Sequence, residues 1–157
     1  MQRIFAKQIE LKPSAMATVA ERRFSDAEAL CSTGSNQRAN GAAYLAGFVI
    51  EILLKANLVR AYPAIARKRS HEVTEAERVV WSLIWRQHDL AEMLDRMVEL
   101  QAAMKDRGRR DGRDYLEELK KICATWTIYA RYSSHTILMD EAKDMVERIR
   151  VLKELLK

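Results

Sequence analysis

The chain has 157 residues, the length of one domain, and needs no disulfide or metal to complete a core. Hydrophobic residues make up 48% and charged residues 31%, and only 5 Gly and 2 Pro are present, which favours helices over extended strands. The formal net charge of +5 attracts phosphate groups, although many basic proteins bind no nucleic acid. We expect one all-α domain over residues 1–157, with residues 1–13 as a short N-terminal arm.

The two cysteines, Cys31 and Cys123, are far apart and lie among apolar residues at helical spacing. This pattern predicts two buried, reduced thiols rather than a metal or redox site. No continuous apolar run approaches the roughly 20 residues of a membrane span, and the N-terminus lacks the apolar region of a secretory signal. We therefore expect a cytoplasmic protein with no membrane partner, no metal and no other cofactor.

Apolar periodicity predicts a first helix that is capped by Ser14 and ends at about Ser32. The second predicted helix, from about residue 36 to 62, has an apolar face too wide for a surface helix with one neighbour. We predict that it is the central helix of a bundle. Residues 63–73 are predicted to form a basic connection.

Capping patterns mark the next two helices. Thr74 and Glu77 form a T-x-x-E capping box at the start of a third helix. Asp89 and Glu92 fit the N-cap and N3 positions of a fourth helix, whose apolar positions continue to Met104.

The polar stretch 105–113 contains two glycines and is predicted to be a loop. A fifth helix, capped by Asp114, has a buried side that extends to Ala130, and a break is expected near residues 133–134. The last helix, from about residue 139 to 156, carries two opposite-charge pairs at i,i+4, namely Asp144–Arg148 and Arg150–Glu154. The predicted fold is an antiparallel bundle of about five to six helices.

Three segments together resemble the HEPN family. Residues 44–56 form an amphipathic pattern that leads into E-x-x-L-K-A, residues 88–94 read H-D-L-A-E-M-L, and residues 126–133 form an aromatic and Arg-Tyr stretch. The resemblance implies a compact helical bundle that is usually a homodimer. Many members are toxin or defence proteins that cut RNA without a metal. Others pair with nucleotidyltransferases, bind nucleotides or act as non-catalytic interaction modules.

The ribonuclease members carry an Arg, four to six residues and then a His, in a site assembled across the dimer. The matching residues here are Arg131 and His135, at the shorter spacing R-x3-H, and Tyr132 stands where active members usually place a small polar or charged residue. A histidine suits the proton transfers of RNA cleavage, and an arginine suits the charge on phosphorus oxygens. Alternatively, Arg131 is a helix C-terminal cation or a buried partner of Glu51, and His135 is a loop residue.

Glu51 and Lys55 lie one turn apart on the central helix. We predict that they form a structural ion pair near Arg131, with a role in a site as the alternative. His88 precedes a helix start and is predicted to bond locally.

Two basic clusters, one at residues 67–69 and one containing Arg109 and Arg110, are interpreted as solvated loops. If both lie on one side of the bundle, they would form a surface that follows phosphates. Three tryptophans at helical spacing are predicted to lie in the core or a dimer interface, namely Trp81, Trp85 and Trp126.

The leading hypothesis is a dimeric HEPN-like module from a toxin–antitoxin or defence system that acts on or binds RNA. As an enzyme it would be a metal-independent endoribonuclease with Arg131 and His135 as catalytic residues. The candidate binding residues are Glu51, Lys55, Arg109 and Arg110. RNA or a nucleotide, an antitoxin and a nucleotidyltransferase are the candidate partners. The alternatives are a non-catalytic module that binds a nucleotide or a protein, and a plain helical scaffold.

Overall fold

The computed structural model of the chain describes residues 11–127 and 136–157. Its helices are α1 Pro13–Ser32, α2 Asn36–Ala61, α3 Pro63–Arg67, α4 Arg78–Trp85, α5 Leu90–Asp95, α6 Val98–Asp111, α7 Tyr115–Thr125 and α8 Met139–Leu156, with a short 3-10 turn at Ser70–Glu72. No strand occurs within these two ranges, and the prediction of an all-α helical bundle is confirmed.

Helix α2 lies at the centre of the bundle. It contacts α1 and α8 along its length and also touches α3, α4 and α5. Half of its 26 residues are buried, including Val49, Ile50, Leu53 and Leu54. The wide apolar face therefore identified the central helix correctly.

The directions of the long helices follow from contacts at their ends. The backbone N–H of Met139, at the start of α8, donates to the Asn36 side chain at the start of α2. At the other end, the Asn57 side chain donates to the carbonyl of Leu156. Helices α2 and α8 therefore run parallel. The chain that connects them leads from the C-terminal end of α2 back to the level of its N-terminal end. Helix α1, joined to α2 by a short turn, runs antiparallel to both.

By length and composition alone, α2 is long and apolar enough to cross a membrane, although Glu51 and Lys55 interrupt its apolar run. Within the bundle, 67% of its most apolar window is buried. The buried core helix of a bundle passes the same test of length and hydropathy, so the finding is weak evidence for a span.

The helix starts predicted near residues 36 and 139 are confirmed, and of the four predicted N-terminal caps two are confirmed and two are wrong. Asp89 and Asp114 cap α5 and α7, each accepting a hydrogen bond from a backbone N–H three residues later. Helix α1 has Lys12 rather than Ser14 at its N-cap, because Pro13 fits the first helical position, where no N–H is needed. The Glu77 carboxylate does accept bonds from Thr74, but α4 begins only at Arg78.

The stretch 105–113 was predicted to be a loop, and this is wrong. Helix α6 continues to Asp111, supported by an Arg107–Asp111 pair at 2.8 Å. Gly108 serves close packing rather than a turn, because a Cβ there would overlap the Arg113 carbonyl oxygen. Gly112, with a φ of +65°, ends the helix in the left-handed conformation. The predicted fourth helix is instead two, since the chain breaks between α5 and α6.

Helix α7 ends at Thr125, before the predicted Ala130, because Trp126 turns away in an extended conformation. Its ring packs against Tyr44 with centroids 5.9 Å apart, and its indole N–H donates to the Tyr44 carbonyl at 3.2 Å. Trp126 is buried, which confirms its predicted place in the core. The break expected at residues 133–134 lies outside the described residues.

One of the two ion pairs predicted on α8 is confirmed. Arg148 and Asp144 are 2.9 Å apart. Arg150 does not pair with Glu154 but with Glu147 and with Glu28 of α1, because α1 lies alongside α8. Glu154 pairs instead with two lysines, Lys153 and Lys157.

Substituting Gly47 tests the packing of Trp126 on α2. A Cβ at this position would overlap the Trp126 indole ring. We expect Gly47→Ala to lower the free energy of unfolding by about 3 kcal/mol, because a rigid buried ring has little room to move. Urea unfolding measures this. The control is Gly41→Ala, whose Cβ would lie 3.3 Å from a Leu30 methyl and should change stability by less than about 1 kcal/mol. Equal stability of the two variants would refute the close contact.

The turn before α4 should make stability depend on pH. Hydrogen bonds from Lys68, and then from Thr74, lower the pKa of Glu77 from 4.5 to about 2. A lowered carboxyl pKa stabilises the fold above the unfolded value, and this contribution disappears as the pH falls toward 2. Between pH 5 and 2, the melting temperature of the wild type should fall toward that of Glu77→Gln. Glu75→Gln, in the same turn and 93% exposed, serves as the control. Parallel melting curves of wild type and Glu77→Gln across this range would contradict the prediction.

Candidate functional site

A buried carboxylate stands at the middle of the central helix. The Glu51 side chain is 2% exposed, and its Oε1 atom lies 2.9 Å from Nζ of Lys55, one turn later on α2. The predicted Glu51–Lys55 ion pair is therefore confirmed, whereas its predicted nearness to Arg131 concerns a residue outside the described ranges. Because α2 is covered on most sides, this pair lies within the bundle rather than on its surface, where such pairs are weak.

His88 provides the second partner of Glu51. Its Nδ1 atom donates to Oε1 of Glu51 at 2.7 Å, which leaves Nε2 of the ring for other bonds. The prediction that His88 bonds locally is wrong, because its partner lies 37 residues earlier in the chain. The ring reaches Glu51 because the segment before α5 crosses α2, while Asp89 caps α5 immediately afterwards. The His88 side chain is 38% exposed, so it joins the buried carboxylate to the surface.

One oxygen of the carboxylate has no partner among the described residues. Both Lys55 and His88 approach Oε1, whereas Oε2 of Glu51 is buried and accepts no hydrogen bond from the described residues. A buried acceptor without a donor costs about 1–3 kcal/mol. Because buried acceptors without a donor are few in folded proteins, Oε2 singles out Glu51 as a candidate site residue.

The exposed side of His88 borders a cleft of about 580 Å³, called here the His88 cleft. Residues 86–90 form one side, and Cys123, Trp126 and Thr127 form the other. Burial first, and then the carboxylates of Asp89 and Asp95, raise the pKa of Cys123 to about 12. The Cys123 thiol is therefore protonated at neutral pH and is a poor nucleophile. Both cysteines are buried and free, as predicted.

The predicted catalytic pair, Arg131 and His135, lies outside the described residues, as does Tyr132. In the sequence, Arg131 follows Thr127 of the cleft wall by four residues. Within the described ranges, no group of three or more His, Cys, Asp or Glu side chains could hold a metal ion.

The structure separates the four predicted binding residues. Glu51 and Lys55 are together on α2, whereas Arg109 and Arg110 are exposed on the last turns of α6. Arg109 borders a different cleft of about 610 Å³, which also has Asp114 and Glu117 in its lining, and it pairs with Asp106 at 3.3 Å. The two clefts share no lining residue among those described.

The sequence did not reveal two features of the surface. One is the contact of His88 with Glu51, for which the only signal was a charged residue on a helix expected to be central. The other concerns Trp81 and Trp85, which were predicted to lie in the core or a dimer interface. They are partly exposed and line a groove together with the basic cluster 67–69, away from Arg109.

No protein-family model matches the chain, and neither a curated protein nor a solved structure is significantly similar to it.

A double-mutant cycle tests the His88–Glu51 contact. We expect Glu51→Gln, His88→Gln and the double variant to show a coupling energy of about 1–3 kcal/mol in urea unfolding, because the contact is short and one partner is buried. The matched control is the exposed pair Glu92–Arg96, 3.4 Å apart, for which the corresponding cycle should give less than about 0.5 kcal/mol. Additive effects of the two substitutions at Glu51 and His88 would contradict the contact.

Proposed function

We propose that this chain is a HEPN-like module of a toxin–antitoxin or defence system, that it acts on RNA, and that the phosphate to be cleaved binds in the His88 cleft. The observation that carries the proposal is the hydrogen bond from His88 to the buried Glu51. It places an oriented imidazole at the edge of a cleft large enough for a nucleotide. The choice of RNA as the substrate comes from the three sequence segments that resemble HEPN domains.

The His88–Glu51 pair suits proton transfer. A carboxylate on Nδ1 holds the ring in one tautomer and stabilises the proton that Nε2 takes up. In metal-free RNA cleavage, the imidazole takes the 2′-hydroxyl proton, and the 2′-oxygen attacks the adjacent phosphorus. The bond from phosphorus to the 5′-oxygen then breaks, and this oxygen takes a proton from a general acid. The products are a 2′,3′-cyclic phosphate and a 5′-hydroxyl.

The remaining roles fall to residues named from the resemblance. Arg131 would supply the cation that stabilises the negative charge on the phosphate oxygens, and His135 the second proton transfer. A homodimer would bring a second copy of these groups to each site. Lys55 and Glu51 are too buried to meet RNA and act as positioning residues for His88. Arg109 and Arg110 would contact the RNA backbone outside the cleft.

A second candidate is a non-catalytic module that binds a nucleotide or a protein partner such as a nucleotidyltransferase. The observation that favours it is the R-x3-H spacing, one residue shorter than in the ribonuclease members, with Tyr132 after the arginine. In that case the same cleft would hold a nucleotide without cutting it.

Cleavage of transfer RNA by the purified protein in EDTA separates the two candidates. We expect cutting that leaves 2′,3′-cyclic phosphate ends and falls about 10²- to 10⁴-fold in His135→Ala and in His88→Gln, because each removes a proton-transfer group. Arg131→Ala should also lose activity. Gel electrophoresis with end-group analysis measures the products.

His71→Ala is the control for these histidine variants. His71 is exposed in the 3-10 turn, outside the lining of the His88 cleft, and its replacement should leave the rate unchanged. Full activity in His88→Gln would remove His88 from the mechanism. Absence of cutting by a folded wild type would overturn catalysis, and saturable nucleotide binding would then support the second candidate.

A further inference from the structure

A second surface depression lies away from the His88 cleft. It is a groove of about 830 Å³ between the C-terminal end of α2, α3 and α4, called here the tryptophan groove. Trp81 and Trp85 line it, and so does the basic cluster 67–69. Among the described residues, none that lines this groove also lines the His88 cleft.

Both indole rings are held by their edges. The N–H of Trp81 donates to the carbonyl of Lys68 at 2.9 Å, and the N–H of Trp85 donates to the carbonyl of Ala66 at 3.3 Å. These bonds fix the ring positions without occupying the ring faces. The Arg86 guanidinium lies over Trp81 at 5.0 Å, whereas Trp85 is 38% exposed. Trp85 is therefore an indole ring that is held at one edge and remains partly exposed in the groove.

The groove differs from the other two depressions in its charge. Among the described residues its lining includes five cationic side chains and no carboxylate, whereas the other two clefts include aspartates. Lys68 is neutralised by Glu77 at 2.6 Å, and Arg60 donates to the Lys157 carbonyl at 2.7 Å. Arg67 and Arg69 are exposed, and neither forms an ion pair with a described residue.

We infer that the tryptophan groove binds single-stranded RNA, with one base stacked on Trp85 and the neighbouring phosphates on Arg67 and Arg69. Aromatic faces between cations are the usual platform for single strands, since every base has a stacking face and every linkage a negative charge. A duplex keeps its bases stacked on one another and would not use Trp85. The inference rests on the proposed action on RNA and adds a place where the strand is held outside the His88 cleft.

Binding of a fluorescent 12-residue oligouridylate, measured by anisotropy, tests this inference. We expect Trp85→Leu to weaken binding about tenfold, and Trp85→Phe to recover much of the affinity because the stacking face is retained. The double variant Arg67→Gln/Arg69→Gln should reduce the slope of log affinity against log salt by about 1.4, or about 0.7 for each phosphate that the protein no longer neutralises. Arg22→Gln/Arg23→Gln, at two exposed arginines of α1, removes the same charge and should leave that slope unchanged.

The outcomes separate this site from the proposed function. Equal binding by wild type, Trp85→Leu and the groove arginine variant overturns the tryptophan groove, while RNA cleavage that depends on His88 would survive. Groove-dependent binding without cleavage supports the groove and overturns catalysis. A wild type that neither binds nor cuts RNA overturns both. If a duplex binds as tightly as the oligouridylate, or if polyglutamate displaces the oligouridylate as well as unlabelled oligouridylate does, the groove attracts anions in general. Either result would overturn base stacking on Trp85.

Discussion

The burial of α2 is the constraint on which the rest of the structure depends. A helix of 26 residues that is apolar on nearly every side must be covered by several neighbours, and α1 and α8 alone do not suffice. Trp126 completes part of this cover, and it can do so only because Gly47 leaves room for the indole ring. The chain must therefore leave α7 at Thr125 and pass over α2, which brings Thr127 to the wall of the His88 cleft.

Placing a carboxylate on such a helix has a consequence for the surface. Glu51 is buried, and a buried charge needs partners, which Lys55 and His88 provide at one of its two oxygens. The partner from outside α2 is the partly exposed imidazole of His88. The need of the buried Glu51 carboxylate for a hydrogen-bond donor therefore fixes the orientation of the His88 ring in the His88 cleft. The second oxygen, without a donor among the described residues, leaves the group open to one more interaction.

The positive charge of the chain is distributed unevenly over its surface. On α6, Arg107 pairs with Asp111 and Arg109 with Asp106. In the tryptophan groove, Arg67 and Arg69 have no such partner among the described residues and line the groove together with the exposed Trp85. The described lining of the tryptophan groove thus concentrates positive charge, because it contains cationic side chains and no carboxylate.

The sequence by itself determined the all-α class, the central position of α2, the Glu51–Lys55 pair and the caps at Asp89 and Asp114, because each depends on spacing within one or two helical turns. It failed at Gly108, where helical periodicity was masked by a glycine that serves close packing with a later residue. It also failed at His88, and it left open whether Trp81 and Trp85 lie in the core or at an interface, because the partners of these three residues lie 13 to 37 residues away. Only the tertiary structure decided these, because local patterns specify which face of a helix is apolar but not which neighbour covers it.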